Sequence, residues 1–98
     1  KSCHLINPQV GPRLRLTTIL TDAPLPPDQP IPNRCGSCTR CRDACPPHAI
    51  YGVSFQPQDP PSERFDKKAC NNFLEDLATV FGKHTCAKCL AVCPWGSK

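Results

Sequence analysis

Nine cysteines are spread over the 98 residues of this chain, and eight of them are spaced as metal ligands. Cys35, Cys38, Cys41 and Cys45, followed at once by Pro46, form a C-x2-C-x2-C-x3-C-P run. Cys86, Cys89 and Cys93-Pro94 repeat its last part, and Cys70 lies upstream of them. The full run is the one that wraps a [4Fe–4S] cube and lends its fourth cysteine to a neighbouring cube. Three thiolates two residues apart sit on one tight loop and reach three corners. A helical turn carries the fourth onward, and the proline then turns the chain away.

Two other chemistries compete for these sulfurs. Zinc takes four ligands in a tetrahedron, commonly from separated C-x2-C pairs, and a C-x2-C-x2-C triplet leaves one sulfur too many on a single loop. Disulfides fit an odd cysteine count poorly, and no secretory segment is visible. Exchange of the last cysteine of each run predicts two sets of ligands. Cys35, Cys38 and Cys41 join Cys93 around one cluster, and Cys70, Cys86 and Cys89 join Cys45 around the other. Cys3 has no partner at ligand spacing and reads as an unliganded thiol, and His4 as an ordinary side chain rather than a ligand.

The rest of the chain has little with which to make a core. Hydrophobic residues are 39% of the total with the cysteines included, and 13 prolines limit regular structure. A chain this small and proline-rich needs a staple, which bound clusters would supply. The formal charge of +4 suggests a nucleic-acid partner only if the clusters are ignored. Eight thiolates bring about −8 and two oxidised cores about +4, so the loaded protein is near neutral. No apolar run is long enough to span a membrane. Thiolates kept for iron imply a reducing, cytoplasmic setting, or assembly in one before export. The chain starts at Lys1 rather than Met, as a fragment would.

The elements that must position the cysteines follow from local pattern. Residues 13–20 alternate, with Leu14, Leu16 and Leu20 on one face and Arg13, Arg15 and Thr17 on the other, which predicts a half-buried strand. Its leucine face needs a sheet that the chain does not obviously provide. Residues 21–32 hold five prolines and read as an extended linker. A short helix is expected around 39–45, and Ala49 and Ile50 are expected to pack beside a cluster. His48 reads as a loop histidine, and residues 51–62 as a surface loop. From Lys67 to Phe81 a helix is expected, with Asp66 as N-cap and Gly82 as C-terminal stop. Phe73, Leu74, Leu77, Val80 and Phe81 form its apolar face, and Cys70 points inward with them. Asn72, Glu75, Asp76 and Thr79 take the wet face. Trp95 is expected to lie over a cluster as a lid. The cysteine runs resemble those of bacterial two-[4Fe–4S] ferredoxins, and that resemblance implies an α+β, ferredoxin-like module over 34–98, preceded over 1–33 by an extended strand and linker.

The two runs resemble those of bacterial two-cluster ferredoxins. The flanking Leu5-Ile-Asn-Pro, Gly11-Pro-Arg-Leu-Arg-Leu, Leu20-Thr-Asp-Ala-Pro-Leu25, Cys35-Gly-Ser-Cys38, Ala44-Cys-Pro and Cys93-Pro-Trp narrow the likeness. Together they resemble the C-terminal portion of epoxyqueuosine reductases, and corrinoid-dependent reductive dehalogenases share much of the pattern. The spacer between Cys70 and Cys86 is shorter than in typical epoxyqueuosine reductases. The resemblance implies an upstream domain that holds cobalamin, of which residues 1–25 would be the tail, and clusters that feed it single electrons. It implies no catalytic residue in this chain. A flavodoxin- or ferredoxin-type donor is the implied partner, with tRNA a further partner in the nucleoside-reductase branch. Arg34, Arg40, Arg42, Lys83 and Lys88 flank the cysteines and could meet an acidic donor, tRNA phosphates, or only solvent. A stand-alone ferredoxin, or a module whose clusters only hold the fold, is the alternative.

Overall fold

The structure, a computed structural model, describes residues 1–96. Three helices carry the cysteine-bearing part: α1 (Arg40–Asp43), α2 (Lys67–Phe81) and α3 (Lys88–Ala91). A 3-10 turn at Pro61–Glu63 precedes α2. α1 and α3 are single turns packed against each other, and each carries a cysteine at its second position, Cys41 and Cys89. Four residues further on, each reaches its Cys-Pro step, at Cys45-Pro46 and Cys93-Pro94.

α2 has the bounds and caps that its sequence specifies. The Asp66 side chain accepts a hydrogen bond from the Ala69 N–H at 2.9 Å. Gly82 closes the helix at φ 68°, a left-handed conformation that a residue with Cβ enters only with strain. The Asp66→Ala variant is expected to lose about 1 kcal/mol of stability, read as a lower melting temperature of the metal-loaded protein. The apolar face of α2 is only partly covered. Phe73, Leu74 and Leu77 are half-buried, whereas Val80 and Phe81 are exposed. The expected apolar stripe thus outruns the module. Fifteen residues make a rod of about 22 Å, and the cysteine-bearing part covers only its first turns.

Among the described residues the buried apolar set is Cys41, Cys45, Ala49 and Ile50. Phe65, Ala69, Cys70 and Cys89 pack around it. Ala49 and Ile50 are therefore where the sequence places them, beside cysteines and out of water. They are held by a short antiparallel contact: Ile50 bridges Phe65, the Tyr51 N–H donates to Arg64 O, and the Asp66 N–H donates to Ala49 O.

Sheet structure is where expectation and structure part. Among the described residues, pairing is confined to the isolated bridges Ile50–Phe65 and Asn7–Gly11, so the strand part of the α+β expectation has no support here. Residues 13–20 form no strand. All are exposed except half-buried Leu14. Alternation makes a segment suitable for a sheet edge, but its backbone groups need a neighbouring strand, and none is present. Residues 21–32 are exposed and free of helix or strand, as five prolines favour.

Residues 1–13 pack onto the cysteine-bearing part instead of trailing away from it. Ser2, Gly11 and Pro12 are buried. A turn at Asn7–Gly11 brings Gly11, at φ 62°, against the backbone of Trp95. A Cβ on Gly11 would stand 1.8 Å from the Trp95 carbonyl oxygen, so only glycine permits this approach. Arg13 then reaches back over α3. Its guanidinium donates to the carbonyls of Ala91, Cys93 and Trp95, each at 3.0 Å.

Candidate metal centre

Both cysteine loops take the same unusual backbone step directly after their first cysteine. Gly36 lies at φ 45° and Ala87 at φ 54°. Left-handed geometry at this position turns the chain back so that the sulfurs on either side can face one space. Space is not the reason for glycine at 36, since an added Cβ there would meet nothing within 4 Å. At 87 an alanine accepts the same conformation, with backbone strain of about 1–2 kcal/mol.

The first set of thiols surrounds a cavity. Cys35, Cys38, Cys41 and Cys93 all line it, with Ile6, Pro94 and Trp95 supplying apolar wall. Trp95 thus forms part of the wall of a cysteine-lined space, and the Arg34 guanidinium stacks 5.2 Å from its ring centre. The N-terminal residues complete the wall: Lys1 Nζ donates to the Gly36 carbonyl at 2.6 Å, and Lys1 and Ser2 line the cavity. Burial pushes the Cys41 thiol up, and the nearby Cys35 adds to that rise.

The second set is brought together by packing, since Cys70 and Cys89 lie against the buried cluster that holds Cys45. Burial pushes the Cys70 thiol up, and the charges of Cys45 and Cys86 push it further. Burial likewise raises Cys89. The backbone of Leu90 opposes that rise, and Cys86 and Cys45 reinforce it. Cys45, Cys70, Cys86 and Cys89 are therefore close enough to feel one another, although 41 positions separate the first from the third. Burial here disfavours the thiolate form, and a bound metal offsets that cost as it displaces the protons.

No three His, Cys, Asp or Glu side chains among the described residues converge as the ligands of a single ion do. In the first set the thiols stand around a space rather than at a point. An all-sulfur donor set with apolar walls fits an iron–sulfur cube, whose four corners hold their thiolates apart. Cys3 is exposed and does not line the cavity.

Sequence reading gives no site role to two residues that stand at these centres. Arg13, read as the polar face of a strand, fixes the carbonyls around Cys93. His4, read as an ordinary side chain, places Nε2 3.3 Å from Cys89 Sγ. Burial lowers its pKa below the ordinary histidine value. Neither role carries a local signal, because the partners lie about 80 residues away in the chain.

Residues 34–96 match the family described as 4Fe-4S double cluster binding domain. Over 104 aligned residues and 96% of its length, the chain is 35% identical to the epoxyqueuosine reductase of Bacillus anthracis, covering 25% of that protein. It is 31% identical over the same length to the epoxyqueuosine reductase of Bacillus subtilis. To the tetrachloroethene reductive dehalogenase of Dehalobacter restrictus it is 34% identical over 93% of the chain and 18% of that protein. The chain thus spans a quarter or less of the length of these relatives. No solved structure matches it. Spacing, thiol geometry and the match over residues 34–96 agree, and the chain belongs to the family of 4Fe-4S double cluster binding domains.

Proposed function

We propose that this chain is the electron-transfer module of a corrinoid oxidoreductase, most closely of epoxyqueuosine reductase type. Cys35, Cys38, Cys41 and Cys93 hold one [4Fe–4S] cluster, and Cys45, Cys70, Cys86 and Cys89 hold the other. The observation that carries the reading is the exchange between the runs. Cys93 lines the cavity of the first run, and Cys45 lies in the buried cluster against which Cys70 and Cys89 of the second set pack. Cys41 and Cys45 share one buried core, so the two centres are close neighbours.

Such clusters supply reversible one-electron carriers when bound. The chain's own residues hold and shield them. Ala49 and Ile50 keep water from the shared core, Trp95 covers the first cavity, and Arg13 fixes the loop that presents Cys93. Arg40 lines both that cavity and an open groove between α1 and α3, together with Asp43, Ala44, Val92 and Cys93. A basic side chain this near a ligand cysteine suits an acidic flavodoxin- or ferredoxin-type donor. Cobalamin belongs to the domain expected upstream, for which exposed Leu16, Ile19 and Leu20 would supply a docking edge. The boundary between that tail and the cluster module is placed at residue 33/34, and the setting is the cytoplasm. In the nucleoside-reductase branch tRNA is the partner of the intact enzyme.

The likeness to a tetrachloroethene reductive dehalogenase, at 34% identity, supports a second reading in which the same module serves carbon–halogen cleavage. Redox titration of the loaded protein under anaerobic conditions tests the shared part. Two one-electron reductions per chain, both reversible without loss of iron, are expected. Clusters that accept no electron until the protein unfolds would leave them only a structural role. Binding of tRNA by the intact protein separates the branches, since only the nucleoside reductase requires it.

A further inference from the structure

We propose that His4 tunes the cluster held by Cys45, Cys70, Cys86 and Cys89, donating its Nε2–H to the Cys89 thiolate and raising that cluster's reduction potential. The proposal rests on the cluster pairing given above. The two atoms are 3.3 Å apart, within reach for an N–H···S contact. An imidazole nitrogen can donate or accept, but a thiolate bound to iron has no proton to give. The hydrogen bond open to this pair is therefore the one in which His4 donates. Reduction adds negative charge that spreads onto the sulfurs, so the bond is stronger in the reduced state, and the potential rises.

The position of His4 is built, not incidental. On one side of it Ser2 is buried, and Lys1 is tied to the Gly36 carbonyl. On the other, Ile6 lies in the wall of the first cavity and the Asn7–Gly11 turn is pinned against Trp95. Arg13 fastens the far end to three carbonyls. His4 thus belongs to a strap across both centres and touches the second through Cys89. Because the donor is 85 residues from the ligand, it changes the cluster's surroundings without altering either cysteine run.

Redox titration of the loaded protein, followed by electron paramagnetic resonance, compares the natural chain with His4→Leu, His4→Phe and His4→Gln. The Cys93→Ser variant identifies which signal belongs to which cluster. In His4→Leu the reduced-to-oxidised ratio of the Cys89 cluster at a fixed potential is expected to fall about tenfold, equivalent to about 59 mV for one electron. The other cluster keeps its potential. His4→Gln, whose amide N–H can replace the donor, recovers most of the shift. His4→Phe fills similar space without a donor and replaces the Leu variant if that one loses iron. Unchanged potentials, an equal shift of both clusters, or no recovery by Gln overturns the proposal. Iron loss from both Leu and Phe variants also overturns it, since His4 would then be a support. A shift confined to the cluster that Cys93→Ser removes overturns it too, and places the fault in the pairing rather than in the hydrogen bond.

Discussion

Removing the iron is expected to unfold this chain. Among the described residues the buried apolar set is two cysteines, one alanine and one isoleucine, and no large side chain is completely enclosed. Burying a large aliphatic side chain fully contributes about 1.5–3 kcal/mol, and among the described residues Ile50 is the one such side chain buried, the others being half-buried or exposed. The loss of backbone freedom is set against it, at about 1–2 kcal/mol for every ordered residue. α2, fifteen residues long, is marginal by itself. Metal-folded domains of this size draw on the order of 10 kcal/mol from their metal. A strong chelator under anaerobic conditions is thus expected to abolish the helical circular-dichroism signal and the resistance to protease together. Iron and sulfide restore both. A helical, protease-resistant chain after iron removal would show that packing alone holds the fold.

Cys93→Ser is expected to remove one cluster and spare the other. The substitution lies beside Pro94 in the second run, yet its thiol lines the cavity of Cys35, Cys38 and Cys41. Loss or conversion of that first cluster is expected, with iron falling to about half of the natural content. The reciprocal variant, Cys45→Ser, lies in the first run and is expected to deplete the set of Cys70, Cys86 and Cys89. Iron analysis with resonance spectroscopy of each variant checks the pair. If Cys93→Ser instead depleted the cluster of Cys70, Cys86 and Cys89, each run would be keeping its own last cysteine.

What was legible in the chain was whatever depends on near neighbours. The α2 bounds, its Asp66 cap and its Gly82 stop all follow from residues within a turn of one another, and the structure has each of them. Cysteine spacing is likewise local, and it places the short helix near 39–45, seen as α1, and the Cys-Pro exits, whereas the sequence marks α3 only as part of a loop. The strand at 13–20 is the opposite case. Its alternation is real, but pairing depends on a neighbour that the pattern cannot contain. Val80 and Phe81 fit the helical stripe, yet burial there depends on how far the small module extends along α2. His4 and Arg13 were illegible for the same reason. Each meets partners about 80 residues away, and no residue beside them in the chain signals that meeting.

Basic residues near the cysteines do not form one uniform charged face. Arg34 lies over Trp95, Arg42 pairs with Asp43 at 2.8 Å in an exposed position, and Arg13 is engaged with backbone carbonyls. Arg40 stands at the groove between α1 and α3, beside Cys93. The surface through which a donor would reach the first cluster is therefore narrower than the overall count of lysine and arginine suggests.

Native mass spectrometry of anaerobically purified protein tests the central claim most directly. The account predicts a folded species heavier than the bare chain by two Fe4S4 units. A compact species carrying zinc, a single iron ion, or no metal at all would contradict it.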